Sequence, residues 1–134
     1  MKALSIRQPW AWLIIHGGKD VENRSWSTHY TGPLAIHAGK GMSAADFDNA
    51  VDLAAKILPA DHRFFAMTRQ DFARGGVIGV AWLQSCTCLN PTSPWAMVYG
   101  CHWNLRDPRL IPFHPCKGRL GLFDVELPEP EPPF

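Results

Sequence analysis

Apolar and polar residues follow one another along the chain in patterns that predict six short strands. These strands cover residues 2–6, 20–26, 33–38, 77–83, 99–106 and 120–127. Residues 77–83 form a continuous apolar run that is typical of a buried strand, whereas the last two segments alternate with the two-residue period of a half-buried strand. In the fifth strand this alternation places Tyr99 and Trp103 on one face, so both are predicted to lie in the core.

Helical spacing and end signals predict three helices between these strands. They begin at Pro9, Ser43 and Thr68, and they end at the glycine pair 17–18, at Pro59 and at the glycine pair 75–76. Ser43 and Thr68 each precede an aspartate by three residues, which is the spacing of a capping box. Five or six short strands with two or three inserted helices indicate an α+β fold, a small β-barrel flanked by helices.

The composition is that of a globular protein. Apolar residues make up 46% and charged residues 19% of the 134 residues, which are most simply one domain. No apolar run approaches the roughly 18 residues that span a membrane, and the first residues lack a signal-peptide pattern. We therefore expect a cytoplasmic protein without a membrane partner. The proline content predicts a domain over residues 1–127 and a mobile tail over residues 128–134.

Positive charge is concentrated in two parts of the chain. The net charge is only +1, but residues 1–40 and residues 77–120 each carry +3, while residues 121–134 carry −4. The two basic segments also hold most of the tryptophans. This distribution favours a small positive patch and a modest, salt-sensitive affinity for nucleic acid.

The four cysteines do not predict a metal site. One residue separates Cys86 from Cys88, whereas structural zinc sites have about two to four, and no histidine pair follows at the spacing of a zinc finger. We interpret the thiols as reduced core residues. Neither a metal nor any other cofactor is expected.

The segment 17–26 is the strongest candidate for chemistry, because two cations, two carboxylates and an indole follow a glycine pair there. If the segment is extended, Glu22 and Arg24 project from the same face, since side chains alternate along a strand. Lys19 precedes the strand, and its amine can reach that face. The three groups form either a surface salt bridge of little energetic value or a grip on one ligand. Cations bind phosphates and indoles stack on bases, so a nucleotide is favoured.

Four blocks of the sequence resemble the ASCH domain, which is named for homology to activating signal cointegrator 1. They are Ser5-Ile6-x-Gln8-Pro9-Trp10, Gly17-x-Lys19-x-x-Glu22-x-Arg24, Arg24-Ser25-Trp26 with Gly32-x-Leu34-x-Ile36, and Lys117-Gly118-x-Leu120-Gly121-Leu122-Phe123. The second block is the GxKxxExR signature of that family. The resemblance covers residues 2–127 and implies a PUA-like β-barrel with helices around a cleft.

The same resemblance implies binding of nucleic acid, chiefly RNA, with Lys19, Glu22 and Arg24 carried over as cleft residues. One bacterial branch of relatives hydrolyses the amide of N4-acetylcytidine, and it has a threonine at the position of Glu22. That mechanism does not transfer, because the hydroxyl group is absent here. A further relative has been described as a ribonuclease, and its proposed catalytic residues do not align with this chain.

Further candidates for ligand binding lie outside the signature. They are Arg7, Gln8, Trp26, His37 and Lys117. Arg7 and Gln8 suit a phosphate and a base, although Gln8 is also suited to cap the first helix. Trp26 is either a stacking platform or a packing residue, and His37 faces either the cleft or solvent. Lys117 precedes a glycine, which would allow close approach to a phosphate.

The sequence therefore predicts a single-domain protein that binds RNA or a modified nucleotide in a basic cleft. In this hypothesis Lys19, Arg24 and Arg7 neutralise phosphate, Glu22 accepts from a base or orients Lys19, and Trp26 stacks on a base. Two alternatives stay open. One is a hydrolase of a modified nucleoside or RNA, with Glu22 as general base and Lys19 as electrostatic partner. The other is a coactivator-type module that binds a protein partner and uses the proline-rich tail.

Overall fold

The computed structural model describes residues 1–88 and 91–128, in which six strands form one mixed sheet beside two α-helices. The strands are β1 (Lys2–Ile6), β2 (Val21–Arg24), β3 (Gly32–Ala38), β4 (Gly76–Thr87), β5 (Cys101–Pro115) and β6 (Phe123–Asp124), and the helices are α1 (Trp10–His16) and α2 (Ala44–Ile57). Two short 3₁₀ helices cover Arg63–Ala66 and Arg69–Asp71. The α+β class is thus confirmed, and most of the predicted tail lies outside the described residues.

The sheet is open, with strand order β2-β5-β4-β3-β1-β6. Strands β1 and β3 run parallel, and the other described pairs are antiparallel. The prediction of a closed barrel is wrong, because β2 and β6 stand at opposite edges and do not pair. Strand β6 contributes only two residues, which pair with Lys2 and Ala3 of β1. Alternation of apolar residues shows that strands are half buried, but it does not say whether two edges meet.

Strands β4 and β5 are longer than the sequence predicts, and they bend. Their ladder shifts register between Val77 and Gly79, between Val80 and Trp82, and again between Leu83 and Ser85. Such bulges increase the local twist of a strand. A Cβ atom on Gly79 would lie 2.6 Å from the Ile15 side chain, so α1 packs directly on the sheet at this glycine.

Helix α1 lies between the sheet and a second apolar layer. Ala11 and Ile14 belong to the sheet-side core, whereas Trp12 and Leu13 pack in a cluster with α2 and the 3₁₀ segments. The helix is therefore enclosed on two sides, as its nearly uniform apolar composition predicts. Its burial fixes the position of the chain on both flanks, including the turn that leads into β2.

The capping boxes predicted at Ser43 and Thr68 are both confirmed, but the α-helix predicted after Thr68 does not form. Ser43 and Asp46 make a complete capping box at the start of α2. Thr68 and Asp71 make another, yet it opens only a three-residue 3₁₀ helix. The chain becomes extended at Phe72, whose buried ring packs against Trp12. Tertiary packing of one aromatic ring thus overrides the local helical signal.

The prediction that Tyr99 lies in the core is wrong, while Trp103 is fully buried. Tyr99 is 82% exposed and precedes β5, which begins at Cys101. Gly100 separates them with a φ of +85°, and a Cβ atom there would lie 2.7 Å from the Arg24 carbonyl oxygen. The alternation of the strand therefore cannot continue upstream through this glycine.

Candidate ligand-binding site

An open cavity of about 1120 Å³ lies where β1, β2 and β3 meet the glycine-containing segment 116–121. Ser5, Glu22, Arg24 and His37 contribute to its wall from these three strands. The segments 39–41 and 116–121 also contribute to the wall. Lys40 lies between two glycines, and Gly118 separates Lys117 from Arg119. Six of the eight predicted ligand-binding residues line the cavity: Arg7, Glu22, Arg24, Trp26, His37 and Lys117.

Lys19, Glu22 and Arg24 form one continuous ion-paired cluster. Lys19 Nζ lies 3.1 Å from Glu22 Oε1 and also donates to the Val21 carbonyl oxygen. Arg24 Nε donates to Glu22 Oε2 at 3.1 Å, and Arg24 Nη2 donates to the Ser5 carbonyl oxygen at 2.6 Å. The alternation of β2 places Glu22 and Arg24 on one face, as the sequence predicts.

Lys19 lies beneath the carboxylate and not on the cavity wall. Its side chain is 2% exposed, compared with 11% for Glu22 and 24% for Arg24. Its Nζ atom lies 5.7 Å from the centre of the Trp10 ring, within the range of a cation–π contact. Glu22 and Arg24 therefore face the cavity, whereas Lys19 holds the carboxylate in place from behind.

Gln8 supports the first helix from a buried position. Its Oε1 atom accepts from the Trp12 backbone N–H at 2.9 Å, and its Nε2 atom donates to the Ala73 carbonyl oxygen at 2.9 Å. The residue is 1% exposed and is absent from the cavity wall. Its geometry corresponds to the capping alternative, and it ties α1 to the segment before β4.

The two indoles on the wall differ in their support. Trp26 is 37% exposed, and its ring meets that of the buried Trp103 edge to face at 4.8 Å. The Trp26 carbonyl oxygen also accepts from Trp103 Nε1 at 3.1 Å. Trp10 is half buried at the start of α1 and packs against both apolar clusters. Trp26 is thus a braced, partly exposed ring, which suits stacking.

Arg7 connects the cavity rim to α2. Its Nη1 atom lies 2.9 Å from Asp46 Oδ2. The backbone hydrogen bond from Ser43 lowers the pKa of Asp46, burial opposes this shift, and the hydrogen bond from Arg7 lowers the pKa further. The Arg7 side chain is 65% exposed although that of Asp46 is only 24% exposed, so the guanidinium can exchange the carboxylate for a phosphate.

His37 anchors the segment that carries Lys117. Its Nε2 atom lies 2.8 Å from the Cys116 carbonyl oxygen, and its Nδ1 atom lies 3.0 Å from Ser5 Oγ. A carbonyl oxygen only accepts, so Nε2 carries hydrogen, and in a neutral ring Nδ1 accepts from the Ser5 hydroxyl. The residue is 1% exposed although it lines the cavity, so it acts mainly by holding the wall together.

Sequence reasoning missed two cations of the wall, Lys40 and Arg119. In the described part of the chain neither they nor Lys117 form an ion pair with an acidic side chain. Lys40 stands between two glycines directly after β3, and Arg119 follows Gly118. Both residues have the pattern of a cation beside a glycine in a loop, which led to the prediction of phosphate binding only for Lys117.

The thiols lie away from the cavity apart from Cys116. A hydrogen bond with Cys88, followed by burial, raises the pKa of the Cys101 thiol to about 11. Only Cys101 of the four is buried, and Cys88 is exposed. Within residues 1–88 and 91–128, no group of three or more His, Cys, Asp or Glu side chains is arranged to hold a metal ion.

Gly118 packs so closely against His37 and Ser5 that an alanine at this position is expected to displace the neighbouring part of the wall. A Cβ atom there would lie 2.8 Å from His37 Cε1 and 3.0 Å from Ser5 Oγ. Overpacking of this kind costs about 1–3 kcal/mol. We expect Gly118→Ala to unfold at lower denaturant concentration and to shift the His37 imidazole signals in NMR spectra. Gly41→Ala is the matched control, since no atom lies within 4 Å of its added Cβ. Equal behaviour of the two variants would contradict the packing argument.

The fold and the cavity define a class of small α+β domain with a basic cavity at the edge of its sheet. Within this class, the family model of the ASCH domain matches residues 4–119, so the chain belongs to the ASCH domain family. ASCH domains are in general RNA-binding domains of PUA-like fold. A comparison with curated proteins finds no match. None of the helices in the described ranges has the length and apolar character required to cross a membrane.

Proposed function

We propose that this protein binds RNA, or a modified nucleotide, in the cavity around the GxKxxExR signature. One observation carries the proposal: five basic side chains and a single carboxylate line the wall, within the part of the chain that is described. The basic residues are Arg7, Arg24, Lys40, Lys117 and Arg119. A concave wall with a net positive charge raises the local concentration of an anionic ligand.

Apart from Arg7, which pairs with Asp46, the cations fall into two groups with different roles. Lys40, Lys117 and Arg119 stand in glycine-containing segments, where a phosphate can approach the backbone closely and the side chains have no competing carboxylate. Arg24 is fixed by Glu22 and Ser5, and its Nη1 atom makes no hydrogen bond to any described residue. It therefore offers a rigid donor to a phosphate or a base carbonyl.

The indoles complete the requirements of a nucleotide site. Trp10 and Trp26 both line the cavity. Stacking of a base on an aromatic ring contributes about 1–3 kcal/mol and tolerates any base. Together with phosphate contacts, this suits single-stranded RNA, whose bases are accessible, better than a duplex with its bases stacked inside.

The affinity for a short single-stranded RNA is expected to depend strongly on salt. If three or four phosphates are contacted, the logarithm of the binding constant should fall with a slope of about −2 to −3, which is roughly thirty-fold between 50 and 200 mM salt. Fluorescence anisotropy with a labelled oligonucleotide measures this slope. The double variant Lys117→Ala/Arg119→Ala should reduce its magnitude by about 1.4.

The control for this experiment is Lys56→Ala, which removes an exposed lysine of α2 away from the cavity. It should leave the slope unchanged. A slope near zero, or an equal effect of all these variants, would argue against RNA binding in this cavity.

The hydrolase alternative receives less support from the geometry. Both oxygens of Glu22 already accept from a cation, at 3.1 Å in each case, and such pairing opposes proton abstraction by a general base. The test is turnover of acylated cytidine or of RNA. Turnover that is lost in Glu22→Gln while binding persists would favour the hydrolase.

The protein-interaction alternative is supported by a separate surface. Residues 97–99 expose a methionine, a valine and a tyrosine in succession, and contiguous exposed apolar groups often mark contact sites. If no nucleotide or RNA binds and a double substitution of Val98 and Tyr99 abolishes binding of a protein partner, this alternative replaces the first.

A further inference from the structure

Glu22 presents a carboxylate of fixed orientation to the cavity. Lys19 holds Oε1 from a buried position, and Arg24 holds Oε2 while its other end is fixed by the Ser5 carbonyl oxygen. The carboxylate cannot rotate without breaking both contacts. Each carboxylate oxygen has two lone pairs. Oε1 accepts one hydrogen bond from Lys19, and Oε2 accepts one from Arg24 Nε, with Arg24 Nη2 also 3.1 Å away, so each oxygen retains acceptor capacity. Glu22 lines the cavity, and the remaining capacity is therefore available to a ligand.

A fixed carboxylate selects for a ligand edge that carries two adjacent N–H donors, because it can only accept. Among the four RNA bases, guanine alone has such an edge, formed by its N1–H and its 2-amino group. In adenine and cytosine the amino group stands beside an unprotonated ring nitrogen, whose lone pair faces the carboxylate and repels it. Uracil has one N–H between two carbonyl oxygens, which are also acceptors.

We propose that Glu22 makes this cavity selective for guanine, an inference that rests on the nucleotide binding proposed above. The indoles do not distinguish between bases, since Trp10 and Trp26 can stack on any base. Glu22 is also the single carboxylate of the wall within the described residues. We therefore assign the choice between bases to this carboxylate, beside which Arg24 Nη1 can donate to a base carbonyl oxygen.

The same geometry assigns the sugar-phosphate to the basic segments. The guanine edge must point toward Glu22, so the rest of the nucleotide extends away from β2 into the cavity. Lys117 and Arg119 are on the wall there, in the segment that His37 anchors. Base selection and phosphate binding thus use different side chains, and they can be separated by experiment.

The first test needs no variant. Wild-type protein is titrated at low salt with GMP, IMP, AMP, CMP and UMP, and binding is followed by tryptophan fluorescence and by calorimetry. We expect GMP to bind about ten-fold or more tightly than AMP, CMP and UMP, as a bidentate contact to a base discriminates by this order. IMP lacks the 2-amino group but keeps N1–H, so its affinity should fall between those of GMP and AMP.

The second test uses Glu22→Gln, which replaces one acceptor with an amide donor. The preference for GMP over AMP should fall to less than about three-fold, because the bidentate contact is lost. Glu126→Gln is the matched control, as Glu126 is exposed and outside the wall, and it should keep the wild-type preference. Circular dichroism checks that the first variant is folded. If it is not, the nucleotide series with wild-type protein decides alone.

The outcomes separate this inference from the function on which it rests. Binding of all four nucleotides within about two-fold of one another, or tighter binding of AMP or CMP than of GMP, would overturn guanine selection and leave nucleotide binding intact. Absence of binding by every mononucleotide and by short RNAs would overturn both.

Discussion

Replacing Lys19 with alanine is expected to lower the free energy of unfolding by about 3–5 kcal/mol. Its ammonium group is buried between Glu22 and the Val21 carbonyl oxygen, with a side chain that is 2% exposed. Removal of the ammonium group leaves Glu22 Oε1 and the Val21 carbonyl oxygen without a donor in a buried position, and among the described residues only Arg24 then still compensates the charge of Glu22. Breaking a buried ion pair costs more than breaking an exposed one. Chemical denaturation monitored by circular dichroism measures the change.

The matched control is Lys56→Ala, the same substitution at an exposed position of α2. Its effect should remain within about 0.5 kcal/mol, as is usual for surface changes. A different result would revise the role of Lys19. If Lys19→Ala is as stable as the control but loses affinity for RNA, then the lysine reaches the ligand directly, as the sequence predicts.

Replacing Arg24 with alanine is expected to weaken ligand binding by about ten- to a hundred-fold. The guanidinium is the part of the wall that both fixes the Glu22 carboxylate and presents a free Nη1 donor. Its loss therefore removes a charge-assisted contact of roughly 1.5–3 kcal/mol and releases the carboxylate that faces the ligand. Titration of a short RNA at one salt concentration measures the effect.

Arg24→Lys should restore only a small part of this affinity, because an ammonium group cannot bridge Glu22 and the Ser5 carbonyl oxygen with a planar fork. Arg106→Ala serves as the control for loss of an arginine. Its side chain is exposed, pairs with Asp107 and lies over the Trp82 ring, outside the cavity. Full affinity in Arg24→Lys would show that charge alone matters at this position.

Most local elements of this domain could be predicted from the sequence, since their signals are short in range. Strand β1, the helix after Pro9 and the box at Ser43 depend on neighbours within four residues. The third predicted helix failed because its outcome depends on a distant contact: Phe72 is drawn to Trp12 across the second apolar layer. The prediction for Tyr99 was wrong because Gly100 adopts a backbone conformation that ends the alternation.

The arrangement of the candidate site could likewise be predicted only in part from the sequence. The spacing of residues in β2 was sufficient to place Glu22 and Arg24 on one face, and it brought Lys19 within reach of them. It could not distinguish a lysine on the wall from one beneath it, because that depends on the packing of α1 and Trp10 over the turn. Lys40 and Arg119 come from segments far apart in the chain, and only folding brings them to the same cavity.

The one-dimensional order of residues established which faces of the strands their side chains share and which residues cap the helices, because alternation and capping act over a few residues. The tertiary structure alone decided that the sheet stays open, that Gln8 and Lys19 are buried, and that His37 holds the segment 116–121 against β1. Burial and long-range hydrogen bonds depend on how the layers pack, and a pattern confined to neighbouring residues does not contain that information.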